Sequence, residues 1–179
     1  MWKFNLVVTM AADARFRRLL EDLSRHGDFH KTEFFGVILG AVADPAEFLA
    51  LVEDKRSHQP PVFQDVGRVI PLVTCLVFTL ETFEEQLRAA LAPYVARLIN
   101  QRFYVRLERR GLKGAIISPE IERRLDAFLL DEVSRAGGSA EVDFDDPDTV
   151  LAVETFGNRC GIGLLTREMR DRYPFTRVS

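Results

Sequence analysis

Chemistry-bearing residues are scarce in this chain. It has three histidines and two cysteines, and no grouping of them shows metal-ligand spacing. His26 and His30 are four apart but straddle Gly27, a helix stop, and His58 stands alone, so all three read as surface residues. Cys75 and Cys160 lie far apart in the apolar segments LVTCLVF and RCGIGLL, where two buried thiols in a reducing cytoplasm are expected rather than a disulfide. There is no Gly-x-x-x-x-Gly-Lys loop, no Gly-x-Gly-x-x-Gly after a strand and no Gly-x-Ser-x-Gly elbow. Cys160–Gly163 offers only Gly-x-Gly, inside an apparent strand where close packing explains it. The acidic stretch DFDDPD (Asp143, Asp145, Asp146, Asp148) misses the calcium-loop template and reads as a solvated turn with Asx-type capping.

Long hydrophobic runs are missing as well. No stretch approaches the ~20 apolar residues of a membrane helix, and MWKFNLVV lacks the apolar core and small-residue cleavage site of a signal peptide. These absences predict a soluble cytoplasmic protein with no metal, no cofactor and no catalytic constellation. Repeats and low-complexity segments are not seen either.

What is present is an ordinary folded composition, 47% hydrophobic and 28% charged in 179 residues, enough for one domain or two small ones. A formal net charge of −3 argues against a chain that coats nucleic acid by bulk charge. Its positive charge is local. Arg97, Arg102, Arg106, Arg109, Arg110 and Lys113 face a single acidic residue, Glu108, between positions 97 and 113.

The periodicities interleave strands and helices and predict an α/β (α+β) fold. KFNLVVT reads as a strand, and Asp13 to about Arg25 as a helix with Phe16, Leu19, Leu20 and Leu23 on one face. EFFGVILGAV reads as a strand covered on both faces. Asp44-Pro45-Ala46-Glu47 opens a helix by N-cap, fixed φ and an early acid. SHQPP marks a loop near a domain boundary, and Pro71 puts a bulge or an edge into VGRVIPLVTCLVF. Thr82-Phe83-Glu84-Glu85 offers a capping box for a helix that Pro93 would kink or split. RFYVRLE alternates, with Phe103, Val105 and Leu107 on one face and Arg102, Tyr104, Arg106 and Glu108 on the other. Ser118-Pro119 caps a helix whose stripe is Ile121, Leu125, Phe128 and Leu129. TVLAVETF and CGIGLLT then pair across Gly157-Asn158. The tail carries Tyr173 and Phe175 as anchors.

Two readings of the basic cluster stand level on composition and spacing: a solvated strand end, and a nucleic-acid face. Arg106, Arg109, Arg110 and Lys113 span a strand end and a glycine-flanked loop. Arg123 and Arg124 follow in the first turns of a helix, whose N-terminus favours anions. Tyr104, on the polar face of the strand, could stack on an unpaired base.

RFYVRLERRG, then SPEIERRL, then VDFDDPDTVLAVET, then CGIGLLT, resembles the THUMP domain of tRNA-modifying enzymes. Phe144 stands where that pattern has Leu, and Asp146 where it has Asn. Upstream, GRVIPLVTC and the long amphipathic helix resemble the stand-alone THUMP proteins that act as adaptors for tRNA cytidine acetylation. The resemblance covers residues 66–179, and more loosely the whole chain. It implies a THUMP-like domain at 66–179, preceded by a small ferredoxin-like α/β helper domain at 1–65. It implies tRNA binding at the acceptor stem and 3′ CCA end. In most relatives a catalytic domain follows; this chain stops at Ser179, which points to RNA binding without catalysis, for a separate modifying enzyme. Candidate RNA contacts are Arg106, Arg109, Arg110, Lys113, Arg123, Arg124, Arg159 and Tyr104. A protein-interaction module without RNA binding is the alternative, using its sheet edge or basic tail. A small enzyme with an unrecognised site ranks last, and the oligomeric state is open.

Overall fold

The computed structural model describes residues 2–179. The chain divides into two units: residues 1–75 with 168–179, and residues 76–167.

The first unit runs β1 (Leu6–Met10), α1 (Phe16–Ser24), β2 (Asp28–Lys31), β3 (Val37–Ala41), α2 (Pro45–His58) and β4 (Val66–Pro71). Its strands lie in the order β2-β3-β1-β4, antiparallel at every junction. This is a split βαβ, ferredoxin-like arrangement. α2 begins as its residues dictate: Asp44 Oδ1 accepts from the Ala46 and Glu47 amides at 2.9 and 3.4 Å, and Pro45 occupies the first turn. Leu19, Leu23, Phe48, Leu49 and Val52 from the helices close over Leu6, Val8, Ile38 and Val69. Arg18 grips Asp65 with two hydrogen bonds, tying α1 to the start of β4. Those bonds hold the Asp65 carboxyl below its ordinary range despite its burial.

Some expectations needed correction here. Only residues 37–41 of EFFGVILGAV form a strand, because Glu33–Gly36 make the turn from β2 and leave Phe35 90% exposed. β2 itself was not foreseen. Its residues DFHK are mostly exposed, and Phe29 alone is buried, packed over the bare backbone of Gly40. A Cβ at Gly40 would sit 2.3 Å from the Phe29 ring. The expected boundary after residue 65 falls instead between Cys75 and Leu76, because β4 hydrogen-bonds along the length of β1. The tail returns to this unit: Tyr173 and Phe175 are part of its core.

The second unit holds α3 (Phe83–Leu91), a 3-10 stretch (Ala92–Leu98), β6 (Arg102–Glu108), α4 (Ser118–Arg135), β7 (Glu141–Val142), β8 (Thr149–Phe156) and β9 (Arg159–Thr166). α5 (Arg167–Arg172) follows, and from residue 168 onward belongs to the first unit. β5 (Thr74–Val77), which straddles the division, edges the sheet β5-β9-β8-β6-β7. β6 runs parallel to β7 and β8, and β8 and β9 form the hairpin expected at Gly157-Asn158. All eight residues of β8 are buried. Pro71 closes β4 on a sheet edge, and Pro93 falls where α3 gives way to the 3-10 stretch. Two caps differ from expectation. Thr82 makes no cap bond, its hydroxyl being engaged with Thr79 and Gln86, and Ser118 is the first helical residue of α4 rather than its cap. Cys75 and Cys160 are free thiols, Cys75 only half-buried. No helix is long and apolar enough to cross a membrane.

The tail's core role is testable. Phe175→Ala should destabilise the first unit by about 3 kcal/mol, the usual cost of truncating a buried Phe, read from urea unfolding.

Candidate nucleic-acid interface

The basic cluster is built on β6, the loop that leaves it, and the first turns of α4. β6 forms because Phe103, Val105 and Leu107 alternate into the core, all buried as expected. Beyond Glu108 the chain turns through Gly111 (φ 82°), Leu112 (φ 52°) and Gly114 (φ 83°). Leu112 is not glycine, yet it holds a left-handed conformation because its side chain packs against the core. Arg109 Nη1 donates to the Gly111 carbonyl across this turn, and the Ala115 and Ile116 amides donate to the Leu112 carbonyl.

The cations separate into groups with different electrostatics. Arg110 points inward. Its Nη1 pairs with Glu154 Oε2 at 2.5 Å, with the two side chains 11% and 1% exposed, and its guanidinium lies over the Phe156 ring. Its amide also donates to Thr155 Oγ1. Arg110 is therefore structural, the counter-charge of a buried carboxylate. Arg124 holds Glu84 through Nε at 2.9 and 3.0 Å, joined there by Arg88. Burial lifts the Glu84 carboxyl, but those two guanidiniums more than offset it and keep it below its ordinary range.

Arg106 faces Glu122 at 3.6 Å and caps the Tyr104 ring at 5.3 Å. Tyr104 is 7% exposed, with Phe144 against it at 5.3 Å. Alternation put Tyr104 on the polar face correctly, but neighbours from β6 and the β7–β8 loop cover that face, so it presents no open ring to a base. Arg159 lies on β9, half-buried and away from the loop in sequence. Lys113 and Arg123 are exposed, as is the ion-paired Arg124, and Arg109 is half-buried in the loop.

Sequence reasoning missed the groups that neutralise the cluster, because they come from distant segments. It also missed the role of two α4 carboxylates. Glu122 Oε1 accepts the Leu107 amide at 2.8 Å, and Asp126 Oδ1 accepts the Val105 amide at 2.9 Å. Burial pushes the Asp126 carboxyl up to about 6, with Glu122 adding to the rise and the Val105 bond and Arg106 opposing it. The acidic turn behaves as read: Asp143 Oδ1 accepts the Asp145 and Asp146 amides. Asp146 and Asp148 are held by Arg102 and Arg167. Among the described residues, no three His, Cys, Asp or Glu side chains converge as a metal site.

The THUMP domain model matches residues 79–165. The structure of PH1313 from Pyrococcus horikoshii is similar at TM-score 0.58 and 15% identity, covering 90% of this chain and 54% of that one. TrmN from Thermus thermophilus gives 0.61 at 22% identity, covering 89% of this chain and 44% of its own. A 4-thiouridine synthetase solved with RNA and ATP gives 0.57 at 16% identity, covering 90% and 41% respectively. These likenesses show a shared fold, and the chain spans about half or less of each of those proteins. The search of curated proteins found no match.

Two stability measurements separate structural from free charges. Arg110→Ala removes the ion pair to the buried Glu154 and should cost about 3 kcal/mol, whereas Lys113→Ala should stay within about 0.5 kcal/mol. Asp126→Asn keeps an acceptor for Val105 but removes the buried charge. Because the folded carboxyl titrates near 6 and the unfolded one near 3.8, the cost of ionisation is fully present above about pH 6 and is relieved as pH falls toward 4. The variant should be more stable by about 2–3 kcal/mol at pH 8, with the gain vanishing near pH 4 in a urea-unfolding series.

Proposed function

From the THUMP domain that residues 79–165 form, we propose that this chain is a cytoplasmic tRNA-binding adaptor. In this reading it recognises the acceptor stem and 3′ CCA end and presents them to a separate modifying enzyme. RNA binding and an association with tRNA modification follow from the domain itself. The acceptor-end specificity, the absence of catalysis and the partner enzyme are the finer parts of the proposal.

The observation that carries it is the cation set left uncompensated on one loop and helix start. Arg109 and Lys113 sit on the tight turn after β6, and Arg123 lies in the early turns of α4. An ordered loop that holds charges outward suits phosphate, which is met by Arg and Lys together with backbone amides. Arg110 and Arg124 differ from these three in being ion-paired, with Glu154 and Glu84.

The test is a gel-shift series with full-length and CCA-trimmed tRNA across salt concentration. Binding should weaken steeply with salt and drop for the trimmed tRNA. Lys113→Ala and Arg123→Ala should each weaken binding and flatten the salt slope by about one unit. Absent or salt-insensitive binding, or equal binding to both tRNAs, would overturn the acceptor-end reading.

A further inference from the structure

The second unit carries a groove that shares only Arg123 with the RNA reading. It runs between α4 and the β7–β8 loop and encloses about 570 Å³, the size range of sites that seat several side chains. Its walls are Pro119, Ala127, Leu130, Val142 and Phe144. Phe144 is 62% exposed, an unusual position for a large aromatic unless something covers it. The polar lining is mostly acidic. Glu122 and Asp126 line the groove with one oxygen of each carboxylate already bound to a β6 amide, and Glu122 also faces Arg106 at 3.6 Å, which leaves Asp126 as the carboxylate a ligand would meet. Asp145 is exposed next to Phe144, and Arg123 is the single cation in the lining.

We propose that this groove docks a short apolar segment of a partner protein that carries a Lys or Arg beside its apolar side chains. Charge decides the occupant. A carboxylate floor repels phosphate, so the RNA backbone is the wrong sign for it. Bringing a negatively charged ligand there would add a third charge to a site already strained by burying Asp126. A cation reaching Asp126 relieves that strain, while aliphatic side chains fill the space beneath Phe144. Buried anchors ringed by charge are the usual energetic pattern of such contacts. The groove lies wholly within residues 119–144, apart from the loop bearing Arg109 and Lys113. Arg123 belongs to both surfaces, so Lys113, on the separate loop, is the residue that tells the two readings apart.

The experiment uses the full chain, isotope-labelled for NMR, titrated with a 14-residue amphipathic Leu/Lys peptide and a matched Leu/Glu peptide. The Leu/Lys peptide should shift the amides of Ala127, Leu130, Val142 and Phe144 and bind at least fivefold tighter than the Leu/Glu peptide. Phe144→Ser should weaken it about tenfold and Asp126→Asn about fivefold, with both proteins folded by their spectra. Lys113→Ala should leave peptide binding unchanged while lowering tRNA affinity. Equal binding of the two peptides, shifts confined to other surfaces, or no effect of Phe144→Ser would overturn the proposal. So would an RNA trinucleotide that shifts the same amides more strongly than the peptide does.

Discussion

The arrangement of the second unit depends on how one strand edge is closed. β7 pairs with β6 only at Arg102↔Glu141 and Phe103↔Val142, so the rest of that edge has no strand beside it. The Val105 and Leu107 amides are buried there, and a buried unpaired N–H costs about 1–3 kcal/mol. α4 supplies the missing acceptors through Asp126 and Glu122. The match is geometric. Four helical residues rise about 6 Å, and two strand residues about 6.6 Å, so carboxylates at i and i+4 meet alternate amides of a strand. The spacing also fixes α4 in register against β6, and with it the outward placement of Arg123.

That closure sets the local electrostatics. Two carboxylates brought together at low exposure raise the Asp126 pKa and require a cation nearby, which is Arg106. Arg106 leans over Tyr104 to reach Glu122, and its Nε atom is left without a partner. A side chain committed on two sides and short of a hydrogen bond is poorly suited to be released to an outside phosphate. The same logic holds for Arg110 against Glu154, 44 residues away, and in weaker form for the exposed Arg124 against Glu84, 40 residues away. A count of charge along a short window overstates a basic surface, because compensation is long-range.

This explains what was legible in the sequence. Elements whose signal is local were read well: the Asp44-Pro45 helix start, the alternating β6, the Asx turn at Asp143 and the β8–β9 hairpin. β2 was lost because DFHK buries only one side chain, giving no period to detect. The tail's return to the first unit rests on Tyr173 and Phe175 meeting residues from the start of the chain, a contact no local pattern encodes. Thr82 and Ser118 show the converse, since a capping motif in sequence was satisfied by other bonds. The resemblance placed the domain, but it could not sort its arginines into structural and free.

The loop that carries the free cations breaks local rules in the opposite sense from those buried pairs. Leu112 at φ 52° is a costly backbone state for a bulky residue, and it is held by core packing and flanked by Gly111 and Gly114, which adopt such angles without strain. A relaxed loop would let Arg109 and Lys113 wander, and ordering them on contact with a ligand would cost about 0.5–1.5 kcal/mol for each immobilised side chain. For Arg109 part of that cost falls on folding instead, met by packing Leu112 against the core and by the bond from Arg109 to the Gly111 carbonyl. The constrained turn thus fixes the backbone from which Arg109 and Lys113 extend before any ligand arrives, just as the carboxylates on α4 hold the strand behind them.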